Sequence, residues 1–136
     1  MFDYIEKRKK YLIYVPLIKY WLALFIATSI PAESLPATGV SDKIEHLSAY
    51  FILTIFLSLV FLYQNRYSWL KKYFLILAFL VSSFYGSVDE LHQLIVPGRQ
   101  CDILDWTADA IGAFLGIMLI RYLLKKFKYK PEMLKI

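Results

Sequence analysis

Apolar residues along this chain fall into four long runs, at about 11–30, 44–63, 73–95 and 103–124. Each is near the ~20 residues that a helix needs to cross a hydrocarbon core, and none alternates as a half-buried strand does. The connections are short and polar. Gln64–Lys72 joins the second run to the third, and Val96–Asp102, with the turn signal Pro97-Gly98, joins the third to the fourth. Pro31 and Pro36 mark a loop after the first run. The pattern predicts an all-α, integral membrane four-helix bundle forming a single domain over 1–136, with no internal repeat and no low-complexity tract.

Composition strengthens that reading. The chain is 59% hydrophobic and 18% aromatic, against about half apolar in ordinary soluble domains, so the bilayer must serve as its solvent. The net charge of +5 does not point to nucleic acid. Four basic residues lie at Lys7–Lys10 and six lie beyond Gly116, flanking apolar runs instead of forming a groove-sized patch. Cys101 is the single cysteine, which excludes an intrachain disulfide. The charged start followed by an apolar run resembles a signal peptide. The run exceeds the 7–15 residues or so of such a segment, so it reads as a first transmembrane helix. LPATG (Leu35–Gly39) resembles a sorting signal for sortase, but it precedes three apolar runs and reads as a loop.

The Lys and Arg counts set an orientation. Four stand in the N-terminal tail, three in the 64–72 connection and six in the C-terminal segment, against only Lys43 in 31–43 and Arg99 in 96–102. Both termini are therefore expected in the cytoplasm, which puts a set of ionisable groups at the outer ends of three helices. Such groups at the margin of an apolar span are costly, and the default reading of them is functional.

Three constellations carry this polarity. In the first, Lys43, His46 and Tyr50 recur at three- and four-residue steps, on one face of the second helix's opening turns. They suit gripping a polar or anionic group or moving a proton; the plain structural reading is a helix start capped by Ser41 or Asp42. In the second, Asp89, Glu90 and Gln93 end the third helix. Adjacent carboxylates cannot both point at one spot, so one faces the bundle and the other a neighbour or water. They suit an acid–base pair or a cation site, against hydration of a helix end. Glu90 lies roughly 8 Å inside that end at ~1.5 Å per residue, deep for a surface acid, whereas His92 falls off this face. The third is Asp102, Asp105, Asp109, Gly112 and Gly116, which share a face of the fourth helix. Gly112 and Gly116, with Ala108, form a small-residue face that permits close helix packing. Ser82, Gly86, Asp89 or Glu90, and Gln93 mark a similar stripe on the third helix, and the two stripes are expected to face each other. Arg99 offers a fork for a carboxylate or a ligand phosphate, or else organises Asp102 and Asp105. Lys19, inside the first run, either snorkels or pairs with an acid such as Asp109.

The motifs DKIEHLSAY (Asp42–Tyr50), DELHQ (Asp89–Gln93), PGR (Pro97–Arg99) and D-x3-D-x2-G-x3-G (Asp105–Gly116) stand in the order found in the VanZ-like family of small bacterial membrane proteins, which this chain resembles. The resemblance implies a multi-pass protein of the bacterial cytoplasmic membrane, associated in its namesake with resistance to the glycopeptide teicoplanin. It also implies that Asn can replace Asp109, so that a negative charge there is not required.

The site expected from these residues comprises Asp42, Lys43, His46, Tyr50, Asp89, Glu90, Gln93, Arg99, Asp105 and Asp109. Its expected partners are membrane lipids, with a lipid headgroup or cell-wall precursor as the bound component. The competing reading is an intramembrane enzyme on a lipid-linked substrate, with Glu90 or His46 as acid–base group; a small transporter is a third. His46 with Asp89, Glu90 or Asp105 would make an oxygen–nitrogen metal set. With no H-E-x-x-H and no cysteine cluster, no metal and no cofactor is expected. No G-x-S-x-G is present for serine-based catalysis.

Overall fold

The computed structural model describes residues 2–34 and 39–129. Leu35–Thr38 of the LPATG loop and the last two basic residues, Lys130 and Lys135, lie outside the described residues. A short helix α1 (Phe2–Lys7) leads through a π-helical turn at Lys10–Tyr14 into α2 (Val15–Thr28). Pro16 stands in the first turn of α2, where a missing N–H is no loss. α3 (Asp42–Tyr63) follows, then the short α4 (Ser68–Lys72), α5 (Phe74–Gln93) and α6 (Ile103–Lys126). The four helices long and apolar enough to cross a membrane, Lys10–Thr28, Asp42–Tyr63, Phe74–Gln93 and Ile103–Lys126, coincide with the four predicted runs to within two residues at each end.

The spans form an up-and-down bundle, as short connections demand. At one end, Lys9 Nζ donates to Tyr63 O at 2.7 Å and Asn65 Nδ2 to Glu6 Oε1 at 3.3 Å, tying the N-terminal segment to the α3–α4 connection. At the other end, Ala32 N–H donates to Pro97 O at 3.1 Å and joins the two remaining connections. Ser41 is extended before α3 but makes no side-chain cap. Asp102 does cap α6, accepting the Leu104 N–H at 2.9 Å.

Burial divides the bundle along its axis. Ile13, Leu62, Tyr63, Phe74 and Ile120 form an apolar core near the termini. Leu17, Tyr50, Leu53, Leu57 and Ala78 fill the middle. Toward the 29–41 and 94–102 connections the buried residues become Asp89, Glu90, Gln93, Asp105 and Asp109. The outer surface is apolar, with Ile18, Leu22, Ile52, Ile76, Phe84 and Ile111 exposed, as suits lipid-facing helix sides. Lys19 is exposed on α2, and it does not pair with Asp109, whose partner is His46.

The packing of the small-residue faces differs from the sequence reading. α6 makes its most extensive interface with α3, not α5. A Cβ on Gly112 would run into the carbonyl oxygen of Leu47, and one on Gly116 would lie 2.9 Å from Phe51 O. On α5, Ser82 also turns to α3, where Thr54 donates to its hydroxyl at 2.6 Å. The α6 and α5 stripes meet at Asp109, whose Oδ2 would lie 2.9 Å from a Cβ on Gly86, and at Asp102, whose N–H donates to Glu90. The physical reason is that α3 brings its own backbone close at these positions, so both stripes converge on it.

Candidate functional site

The first turns of α3 carry the organising groups. Lys43 lies at the rim, where its ammonium bridges Asp102, at 2.9 Å, and Asp105. One turn deeper, His46 Nδ1 is 2.9 Å from Asp109 Oδ1 and 3.8 Å from Glu90 Oε1. Asp109 is completely buried, and its Oδ2 and the Tyr50 hydroxyl have no hydrogen-bond partner among the described residues. Two donors hold Glu90: Asp102 N–H donates to Oε2 at 2.9 Å, and Gln93 Nε2 donates at 3.3 Å to Oε1, the oxygen nearer His46. The three- and four-residue steps read from the sequence thus become a descending ladder, with a different acid at each rung.

Asp102 lies outside the spans. Its carboxyl is held below the usual Asp value by the Leu104 N–H and then by Lys43. A depressed carboxyl stabilises the fold above the ordinary Asp value and loses that contribution as pH falls through the lowered one. Asp102→Asn should therefore flatten the acid side of a thermal-stability profile measured from pH 6 to pH 3, and an unchanged profile would remove this role.

Beside the ladder, a cavity of about 560 Å³ lies between α2, α3 and the end of α5. Leu24, Ala27 and Ile30 give it an apolar wall, whereas Asp42, Glu45, His46, Tyr50, Asp89 and Arg99 bring polar groups to it. Asp89 and Glu90 separate as adjacency requires: Asp89 lines the cavity, while Glu90 turns to His46 and the start of α6.

The expected residues therefore divide between two joined places. His46, Glu90, Gln93, Asp105 and Asp109 form the buried ladder with Lys43 at its rim, and Asp42, Tyr50, Asp89 and Arg99 belong to the cavity, with His46 common to both. Arg99 is not a counter-charge for Asp102 or Asp105. Its Nε donates to Ile30 O and its second terminal nitrogen to Ala27 O, both at 3.3 Å, so it closes the end of α2. Lys43 takes the role foreseen for it because α3, not the 94–102 connection, faces the start of α6. His92 stacks on Phe25 with ring centroids 5.2 Å apart, away from the ladder, and Cys101 is exposed. The α2 wall escaped sequence reading, since Leu24, Ala27 and Ile30 look like any apolar span.

Of the acids named with His46 as a metal set, the structure brings Glu90 and Asp105 to it, each with a further acid. His46, Glu90 and Asp109 present ligand atoms within 4.8 Å of one another, as do Asp42, His46 and Asp105. The former set contains Asp109, which lies 63 positions from His46, so a local motif could not have announced it.

The sequence profile of the VanZ/LLP1 family matches residues 17–125, which take in most of the first span, the next two whole, the fourth up to Lys125, and every residue of the ladder and cavity. No match was found among curated proteins or among solved structures. With four membrane-length apolar helices, and with the matched region covering most of its length, this chain belongs to the VanZ/LLP1 family of membrane proteins.

Proposed function

We propose that the cavity binds the polar headgroup of a lipid-anchored cell-envelope component, a membrane phospholipid or a lipid-linked cell-wall precursor, on the outer side of a bacterial cytoplasmic membrane. The observation that carries this reading is the cavity's division into an apolar α2 wall and a polar side bearing Arg99, His46 and Asp89. An amphiphile matches that division, with its chain along Leu24 and Ala27 and its head against the polar groups. The charge of the lining refines the class. Asp42, Glu45 and Asp89 stand against Arg99 and His46, which suits a head carrying amine or hydroxyl groups beside its phosphate better than a purely anionic one. Occupying such headgroups would alter what a glycopeptide antibiotic meets at the surface.

Native mass spectrometry of the detergent-purified protein with added phosphatidylethanolamine tests this directly. One lipid should be retained per chain. Ala49→Trp, which fills the cavity from α3, should lose it while melting like the wild type. Equal retention by that variant would sink the reading.

The orientation belongs to the same proposal. With ten of the sixteen basic residues in the two terminal segments, the termini and the 64–72 connection lie in the cytoplasm. An alkaline-phosphatase reporter fused after Pro97 should be active and one fused within Asn65–Lys72 silent. The reverse pattern would move the cavity to the cytoplasmic face and end the envelope assignment.

A second reading, an enzyme using His46 for acid–base chemistry on a lipid-linked substrate, is favoured by one observation. Asp109 holds Nδ1, while His46 also lines the cavity. Release of a labelled headgroup by the purified protein, abolished in His46→Gln, would establish it over simple binding.

A further inference from the structure

The geometry points to a divalent-cation site formed by His46, Glu90 and Asp109. Their side chains are 9%, 4% and 0% exposed, and each directs one ligand atom into a common space no more than 4.8 Å across. His46 Nδ1 is 2.9 Å from Asp109 Oδ1 and 3.8 Å from Glu90 Oε1. A cation with bonds of about 2.1 Å keeps neighbouring ligand atoms about 3.0–3.4 Å apart. The two distances to His46 bracket that range, and the Glu90 and Asp109 ligand atoms lie within 4.8 Å of each other.

Three further observations lead the same way. First, one ligand, Glu90, is oriented by partners, as in established metal sites, because Asp102 N–H and Gln93 Nε2 both donate to it. Second, Asp109 Oδ2 is buried without a hydrogen-bond partner among the described residues, and a buried polar group so left calls for an explanation. Third, neither Glu90 nor Asp109 has a Lys or Arg ion pair among the described residues, since Lys43 is engaged by Asp102 and Asp105. Two buried carboxylates then face one imidazole. A divalent cation in place of the Nδ1 proton balances both charges where a proton balances one.

The alternative set of Asp42, His46 and Asp105 is a poorer site, because Asp42 is 55% exposed and Asp105 is already paired with Lys43. One imidazole nitrogen with carboxylate oxygens suits Zn²⁺ or Mn²⁺, whereas Ca²⁺ takes oxygen ligands alone and more of them. The cavity reaches His46 and supplies a path. This inference stands on the ligand atoms and does not depend on headgroup binding.

The test uses the full-length chain in detergent, stripped with EDTA and titrated with MnCl₂ under electron paramagnetic resonance and with ZnCl₂ by calorimetry, without lipid. One Mn²⁺ or Zn²⁺ should bind per chain, and bound Mn²⁺ should show coupling to a histidine nitrogen. Ca²⁺ should bind at least about tenfold more weakly. Glu90→Gln should weaken Mn²⁺ by about 100-fold or more, beyond what losing an orienting partner costs a metal site, while Asp42→Asn should leave it unchanged. Absence of stoichiometric binding, or absence of nitrogen coupling in the wild type, overturns the site whether or not the variants fold. Equal loss in Asp42→Asn and Glu90→Gln overturns it in favour of the exposed set.

Discussion

Gly112→Ala should be the most damaging single-methyl change in this bundle. The added Cβ would enter the contact shell of the Leu47 carbonyl, whose carbon is 3.0 Å and whose Cα is 3.1 Å from that position. These are backbone atoms of α3, so no rotamer change relieves the overlap, and α3 and α6 must part. Overpacking of this kind costs about 1–3 kcal/mol and sometimes more. Here it would also pull Asp109, one turn earlier on α6, away from His46. Gly116→Ala should cost less, because part of its contact is with the Thr54 side chain at 3.1 Å, while Gly116→Leu should approach the Gly112 effect. Ile111→Ala, on the exposed side of α6, should scarcely matter. Thermal melting of the four variants in mild detergent checks the order. A Gly112→Ala protein that melts with the wild type would mean that α3 and α6 do not approach as described.

His46→Leu should destabilise the protein by about 3–5 kcal/mol, the usual cost of removing one partner from a buried charge pair. Asp109 would keep its carboxylate at 0% exposure with neither oxygen satisfied by His46. The diagnostic experiment is the double variant. Adding Asp109→Asn to His46→Leu removes the stranded charge and should recover at least half of the lost stability, although it deletes a second native side chain. Asp109→Asn alone should be the mildest of the three, since an amide oxygen still accepts from the imidazole. Reversible unfolding in SDS–detergent mixtures measures all three. If the double variant is no more stable than His46→Leu, the charge of Asp109 is not what His46 neutralises.

Much of this architecture follows from local pattern. Apolar runs of about twenty residues can satisfy their backbone in lipid only as helices, so the spans Asp42–Tyr63 and Ile103–Lys126 are legible to within a helical turn. Helical periodicity likewise puts Lys43, His46 and Tyr50 on one face, and Asp105, Asp109, Gly112 and Gly116 on another, without any knowledge of neighbours. That these residues mark the molecule's polar end is therefore a property of the sequence.

What periodicity cannot supply is which face meets which. The small-residue stripe of α6 packs on α3 and not on α5, because helix choice depends on how closely two backbones can approach, a pairwise quantity that neither stripe contains alone. The same limit explains the charges. Arg99 was the nearest cation in sequence to Asp102, yet it closes the end of α2 while Lys43, 59 residues from Asp102, makes the ion pair. Adjacency required Asp89 and Glu90 to part, since a helix turns neighbouring side chains about 100° apart, but not which of them meets His46. In the bundle Asp89 faces the cavity, and Glu90 joins His46 and Asp109. The kinds of residue at the site were written in the chain; their partners were decided by how α3, α5 and α6 pack on one another.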